Sequence, residues 1–368
     1  MSTEFNKLSI KKMVEETDEA VSLVFEVPES LKDTYRYKPG QYLTLRFDLK
    51  GEDVRRAYSM SSATFEGDIK VTIKRLQNGL VSNHVASNLK EGDMVDVMAP
   101  QGRFFVKTAF ENRKSYYLFG AGSGITPLMS ILKTILEEEP QSTVFLLYGN
   151  RNENSIIFKS ELESLLQKYE GQLVVEHVLS QPIKVKKGGL GGFFSKGKIS
   201  WGGQTGRINK KSIRNFLETH PKRYEKAEYF ICGPGNMIDS VEEALLGNGV
   251  PKEEINTERF TTAAPTAATG ASSDPNAARR VIVHLDGERI DLEVPSNKTI
   301  LEALIEIKYE PPYSCRAGSC STCMCKVTTG KVSMDACFAL DDDEIEEGYV
   351  LACQAHPTTD DVELTFEV

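Results

Sequence analysis

The sequence predicts a multidomain chain: an antiparallel β-barrel, then an α/β domain built on a parallel sheet, then, past a linker, a smaller α+β domain. Three observations predict it. The first hundred residues fall into short apolar or alternating runs separated by turns, the rhythm changes near Ser115 to strands alternating with helices, and six of the seven cysteines lie between 315 and 353.

The early runs VSLVFEVP, QYLTLRFDL, DIKVTIKR and MVDVMAP have the period and length of antiparallel strands. From Ser115, SYYLFGAGSG leads into TPLMSILKTILEEE, followed by TVFLLYGNR, FKSELESLLQKY, LVVEHVLS, a helix near KKSIRNFLE, then AEYFICGPG and MIDSVEEALL. Strands alternating with amphipathic helices require a parallel sheet covered on both faces. The stretch from Ile183 to Gly203 breaks this rhythm with many glycines, five lysines and no acids, and its composition predicts a mobile surface loop.

After Phe260, TTAAPTAATGASSDPNAA lacks hydrophobic periodicity and reads as a linker. RVIVHLDGERIDLEV then predicts a hairpin turning at Asp286-Gly287, and NKTILEALIEIK an amphipathic helix starting near a polar cap. The domain boundaries expected from these signals are residues 1–109, 110–261, a linker at 262–279, and 280–368.

Charge is distributed unevenly. From Arg280 to the end there are 7 Lys/Arg and 18 Asp/Glu, a net of −11, whereas everything before it carries +2 of the chain's −9. An acidic C-terminal quarter is unsuited to nucleic acid and suited to a basic protein partner. MSTEFNKLSIKKM has no apolar core of the signal-peptide kind, and no later stretch is apolar over a membrane-spanning length, so a cytoplasmic protein without a membrane partner is expected.

Cys315-x4-Cys320-x2-Cys323, with Cys353 thirty residues later, is the spacing of plant-type [2Fe–2S] ligation. Each iron takes two thiolates beside the bridging sulfides, and Gly318 lets the backbone approach and aim N–H groups at sulfur. Zinc sites favour paired C-x2-C knuckles, and a second pair is missing here. Cys325 and Cys337 are left over and are expected to be packed bystanders.

Arg56-Ala57-Tyr58-Ser59 has the composition of a flavin grip: a guanidinium for phosphate, an aromatic for the isoalloxazine, a small hydroxyl for its reactive N5 edge. Gly79-Leu80-Val81-Ser82 opens a helix whose free N–H groups could take a pyrophosphate. Gly120-Ala121-Gly122-Ser123-Gly124-Ile125-Thr126-Pro127, between strand and helix, suits a dinucleotide phosphate, although it is not a strict G-x-G-x-x-G. Cys232-Gly233-Pro234-Gly235 makes a second glycine turn at the carboxyl edge of the sheet, where ligands bind in open α/β folds.

In this order, R-x-Y-S, G-x-x-S, GAGSGITP, CGPG and E-x-F resemble the ferredoxin–NADP reductase superfamily, and with the cysteine loop the chain resembles a three-domain oxygenase reductase. YGNRNENSIIF (148–158), CSTCMCKV (320–327), MDACFALDDDE (334–344) and GYVLACQ (348–354) are most similar to the reductase family serving phenylacetyl-CoA epoxidases and ketosteroid hydroxylases. The resemblance implies an FAD-binding barrel, an NAD(P)-binding domain and a β-grasp ferredoxin domain. It implies flavin contacts from Arg56, Tyr58 and Ser59, and FAD pyrophosphate contacts from Gly79, Val81 and Ser82. Gly122, Gly124 and Thr126 would line the nicotinamide dinucleotide site, Cys232 would lie near the nicotinamide, and Glu258 and Phe260 would lie by the isoalloxazine. Ser59, Cys232 and Glu258 are thus the candidate catalytic residues, and Cys315, Cys320, Cys323 and Cys353 the candidate metal ligands. Two places depart from the family pattern: the long stretch at 183–203, and Cys337 where a polar residue is expected.

The implied activity is electron transfer from NADPH or NADH through FAD and a [2Fe–2S] cluster to an oxygenase component, in aromatic degradation. Arg151, after the second strand of the nucleotide domain, leans the donor toward NADPH. Two other readings stay open from the residues: an FMN-type reductase of a ring-hydroxylating dioxygenase, and a non-catalytic electron carrier or redox module. Asp341-Asp342-Asp343-Glu344, with Glu346 and Glu347, is the expected docking face for a basic partner, or an ordinary solvated acidic loop.

Overall fold

The computed structural model describes residues 4–185, 198–260 and 278–368. The central part of the expected mobile loop and nearly all of the expected linker lie outside the described residues. The chain divides into two compact units, one of Glu4–Phe47 with Tyr58–Thr257, the other of Asp48–Ala57 with Glu258–Val368.

Six antiparallel strands form the first sheet: β1 (Phe5–Thr17), β2 (Ala20–Glu26), β3 (Tyr42–Leu49), β4 (Glu52–Ser59), β5 (Ile69–Lys74) and β6 (Met94–Met98), in the order β4-β3-β6-β1-β2-β5. A bridge between Met60 and Val71, with Ser61 N–H donating to the Lys70 carbonyl at 2.7 Å, ties the end of β4 back to β5 and closes the barrel. Closure removes the unpaired edge an open sheet would leave. The 13-residue β1 was not among the strands read from sequence; Leu8 and Ile10 alternate inward, but the polar residues around them mask the period. Helix α1 (Leu80–Asn88) starts after Gly79, as expected.

The second sheet has the order β12-β9-β8-β7-β13-β14, from β7 (Ser115–Ala121), β8 (Thr143–Asn150), β9 (Leu173–Leu179), β12 (Gln204–Thr205), β13 (Ala227–Gly233) and β14 (Ile255–Arg259). The pairs β12/β9, β9/β8, β8/β7 and β7/β13 are parallel. Helices α2 (Ile125–Glu138), α3 (Lys159–Lys168), α4 (Lys210–Thr219) and α5 (Gly235–Gly247) connect them, and two clusters of buried apolar side chains fill the layers. The ends of the expected loop pair as a two-residue ribbon, β10 (Lys184–Val185) with β11 (Lys198–Ile199).

Two buried charged groups pin the barrel to this domain. Lys133, 3% exposed on α2, reaches Glu66 of the barrel at 2.6 Å and Glu161 of α3 at 2.9 Å. Glu139, fully buried, has neutral donors instead: Ala109 N–H at 3.1 Å, Asn112 Nδ2 at 2.6 Å, the Tyr116 hydroxyl and the Ser142 hydroxyl at 2.7 Å.

The third sheet, in the order β16-β15-β21-β17-β19, comprises β15 (Ala278–Leu285), β16 (Glu288–Pro295), β17 (Met324–Thr329), β19 (Tyr349–Leu351) and β21 (Val362–Thr365). Strands β15 and β21 are parallel and the other pairs antiparallel, with α6 (Ile300–Glu306) packed in the same core: the expected β-grasp arrangement. β18 (Val332–Met334) pairs with β20 (Ala355–Pro357), and α7 (Asp342–Glu346) is a single acidic helix. The hairpin turns at Asp286 (φ 52°) and Gly287 (φ 80°), as read from sequence. Helix α6 begins at its Thr299 cap but ends two residues before the periodic run does, because Lys308 adopts φ 71° and Tyr309 N–H returns to the Leu304 carbonyl. Among the described residues no helix is long and apolar enough to cross a membrane.

Candidate functional site

The cysteine loop runs from Tyr313 to β17 and places four thiols as two pairs. Cys315 and Cys320 have their sulfurs 3.1 Å apart, and Cys323 shares a hydrogen bond with Cys353. In each pair one thiol is pushed up by the hydrogen bond to its partner and by burial, while the other is held low: Cys320 at about 6, Cys353 below its usual value. Two pairs are what two irons need, two thiolates each. They are not what one tetrahedral ion needs, and among the described residues no group of three or more His, Cys, Asp or Glu side chains converges on a single metal position.

A backbone and a side-chain amide complete the fit. Ala317 N–H donates to Cys315 Sγ at 3.3 Å, and Gln354 Nε2 lies 3.6 Å from Cys353 Sγ, so sulfur charge would meet N–H groups. Gly318 adopts φ 67°, and a Cβ there would lie 2.6 Å from the Ala336 carbonyl oxygen. Cys325 is fully buried with its sulfur 3.8 Å from the Val350 carbonyl, and burial raises its thiol; it is a core side chain in the same apolar cluster as Cys323 and Cys353. Cys337 is half-buried.

Arg56, Tyr58 and Ser59 end β4. Arg56 is exposed, with Nη1 donating to its neighbour's carbonyl, while Ser59 is 3% exposed. Gly79 precedes α1, and a Cβ on it would strike Ser82 Oγ at 2.3 Å. That hydroxyl accepts from Leu76 N–H at 3.1 Å, which leaves its proton available to a phosphate; Val81 is buried beside it.

At the carboxyl edge of the parallel sheet, Gly122 (φ 55°) turns the chain into α2. A Cβ on Gly124 would sit 2.0 Å from the Cys232 carbonyl oxygen, so this glycine lets the β7 turn lie against the end of β13 and brings GAGSG and CGPG together. Thr126 is buried and donates to the Ser123 carbonyl at 3.0 Å, fixing the turn from behind. The Cys232 thiol is buried. Lys74, which sequence reasoning missed, places Nζ 3.7 Å from where a Gly122 Cβ would be, its charge disfavoured by burial and then by Arg151. Arg151 is 55% exposed and pairs with Glu19 at 3.3 Å. Lys74 is thus a cation at the glycine turn, with the Arg151–Glu19 pair acting on it; the only signal for Lys74 was its place at the end of DIKVTIKR. Glu258 is half-buried on β14 and Phe260, just past it, is 36% exposed.

A barrel with an R-x-Y-S strand end, a parallel sheet with two apposed glycine turns and a β-grasp domain with paired thiols define an electron-transfer reductase of the flavin and iron–sulfur class. The family model for oxidoreductase FAD-binding domains matches residues 7–106, that for oxidoreductase NAD-binding domains 118–243, and that for 2Fe-2S iron-sulfur cluster binding domains 283–358. The chain is 36% identical over 368 residues to a component of the 1,2-phenylacetyl-CoA epoxidase of Escherichia coli K12, covering 99% of this chain and 98% of that one. It is 38% identical over 368 residues to the ferredoxin reductase component of 3-ketosteroid-9-alpha-monooxygenase of Rhodococcus rhodochrous, covering 98% and 96%. Phthalate dioxygenase reductase has the same fold, with a TM-score of 0.61 at 22% identity over 98% of both chains. The chain belongs to the family of three-domain oxygenase reductases that includes this epoxidase component and the ketosteroid monooxygenase reductases.

Proposed function

We propose that this reductase takes electrons from NADPH, or NADH, and delivers them through FAD and a [2Fe–2S] cluster to the oxygenase component of a phenylacetyl-CoA epoxidase-like monooxygenase. The observation that carries the reading is the pairing of four thiols for a binuclear cluster on the same chain as a flavin and a nucleotide domain. A flavin, when bound, couples a two-electron donor to a one-electron acceptor; the protein holds and orders the centres. Arg56 and the start of α1 at Gly79 and Ser82 would hold FAD phosphates, with Tyr58, Ser59, Glu258 and Phe260 at its ring. Gly122 and Gly124, supported by Thr126, would receive the dinucleotide phosphate, with Lys74 and Arg151 opposite and Cys232 near the nicotinamide. The inferred boundaries remain 1–109, 110–261 and 280–368.

The acidic helix α7, with Asp341 and Glu347 at its ends, is exposed between the third and fourth cluster ligands and would present negative charge to the oxygenase. Anaerobic titration of the purified protein with NADPH and then NADH, with flavin and iron quantified, tests the reading. Flavin and cluster absorbance bleaching together at about one FAD and two irons per chain supports it; flavin bleaching without iron refutes it. Reconstitution with epoxidase and ketosteroid oxygenase components then identifies the acceptor by which one turns over.

A further inference from the structure

Two arginines, each beside a residue assigned to the flavin, lie against aromatic rings of the cluster domain. Arg55 precedes Arg56 on β4, is 5% exposed, and sets its guanidinium 4.1 Å from the centre of the Tyr313 ring. Tyr313 is 3% exposed and two residues before Cys315. Arg316, directly after that cysteine, lies 4.6 Å from the same ring. Asp53 grips Arg55 through Nε at 3.1 Å and Nη2 at 2.8 Å, offsetting one of the two positive charges that share the ring. On β14, Arg259 stands between Glu258 and Phe260 and lies 5.3 Å from the Phe338 ring centre; Phe338 N–H in turn donates to the Gly318 carbonyl at 2.9 Å, inside the cysteine loop.

A guanidinium over a ring attracts it more strongly as water is excluded, as at buried Arg55 and Tyr313, and more weakly at Phe338, which is 41% exposed. Both contacts join a chain segment flanking the expected flavin residues to a segment flanking the cluster ligands, and both belong to the compact unit formed by 48–57 and 258–368.

We propose that Arg55 with Tyr313, and Arg259 with Phe338, form a two-point clasp that holds the cysteine loop against β4 and β14, the strands of its own unit that carry Arg56 and Glu258, and so governs how fast electrons reach the cluster; these four are positioning residues. The inference rests on the electron order proposed above. Two successive one-electron passages return reduced FAD to its oxidised form with release of its proton, and each converts one ferric ion of the cluster to ferrous until the oxygenase, or an added one-electron acceptor, removes the electron.

The test uses the full-length protein loaded with FAD and cluster, with Arg55→Met, Arg55→Lys and Tyr313→Phe. Arg55 lies outside the cysteine loop and is not assigned a flavin contact, so Arg55→Met is expected to keep its FAD, its iron and its rate of flavin reduction by NADPH. Misplacement by about 1 Å can cost up to about a hundredfold in rate, so cluster reduction after flavin reduction, followed by stopped-flow absorbance, is expected to slow roughly tenfold to a hundredfold in that variant. Arg55→Lys restores part of the rate and Tyr313→Phe, which keeps the ring, leaves it native. Hydrogen exchange on the apoprotein gives a readout free of the cofactors: residues 52–57 and 310–318 are protected together, and Arg55→Met deprotects both. Native cluster-reduction rates in Arg55→Met, or exchange in one segment alone, overturns the clasp. If the wild-type cluster is never reduced by NADPH or NADH, the proposed function fails instead, and the exchange result still decides the clasp.

Discussion

Gly318→Ala isolates what the cysteine loop demands of its backbone. The residue sits at φ 67°, and a left-handed conformation costs an L-residue roughly 1–2 kcal/mol. The added methyl would also lie 2.6 Å from the Ala336 carbonyl oxygen and 3.1 Å from its carbon, backbone atoms that cannot swing aside, at about 1–3 kcal/mol of overpacking. Together these give about 2–5 kcal/mol, a melting point lowered by roughly 8–40 °C for a domain of this size. Gly287→Ala is the control. Its φ of 80° carries the same conformational cost, but nothing lies within 4 Å of the new methyl, so the difference between the two variants is the clash. Iron per chain after anaerobic reconstitution and the melting transition of the apoprotein are the measurements. A Gly318→Ala protein that melts with Gly287→Ala and holds its full complement of iron would refute the reasoning.

Other consequences can be checked in parallel. Cys320→Ser should lose cluster absorbance and electron delivery while NADPH still reduces the flavin, whereas Cys325→Ser should keep its iron and lose roughly 1–3 kcal/mol from burying a hydroxyl. Lys133→Met leaves Glu66 and Glu161 without their shared cation; both carboxylates are about 30% exposed, so the loss should be roughly 2 kcal/mol rather than the 3–5 of a fully buried pair, read from urea unfolding. Gly124→Ala drives a methyl into the Cys232 carbonyl and should raise KM for the dinucleotide about tenfold or more, leaving cluster content unchanged. Electron delivery to the oxygenase should slow as ionic strength rises toward about 0.5 M if α7 is the docking face, and a flat salt profile would remove that assignment.

Where spacing along the chain determines geometry, the sequence was enough. The C-x4-C-x2-C loop needs no tertiary information to suggest two irons, and Asp286-Gly287 supplies two consecutive positive φ angles for its hairpin. Three domain classes follow from the change of hydrophobic period. Features made by distant residues were not legible. The bridge that closes the barrel is a single pairing, Met60 with Val71, beyond the end of a strand, and nothing in either residue announces it. Gly124 reads as a phosphate glycine, yet its tightest neighbour is the Cys232 carbonyl from another strand. Lys74, Arg55 and Tyr313 have ordinary identities, and only their placement gives them meaning. The start of α6 was marked by its Thr299 cap, but its end was set by Lys308 turning left-handed, which apolar periodicity does not show.

Glu139 bears on how this chain can be cut. Among the described residues its carboxylate pairs with no cation; it is held by an amide at Ala109, an amide side chain at Asn112, and hydroxyls of Tyr116 and Ser142, on both sides of the expected boundary between barrel and nucleotide domain. A buried group satisfied from both sides of a boundary couples the two sides, because parting them leaves it short of donors. A nucleotide domain expressed from residue 115 onward would retain the acid and lose half its partners. Shuffling experiments that exchange barrels or nucleotide domains between reductases should therefore place their crossover before Ala109 or carry 109–116 along with α2, treating that short stretch as part of the module it follows in space rather than the one it follows in sequence.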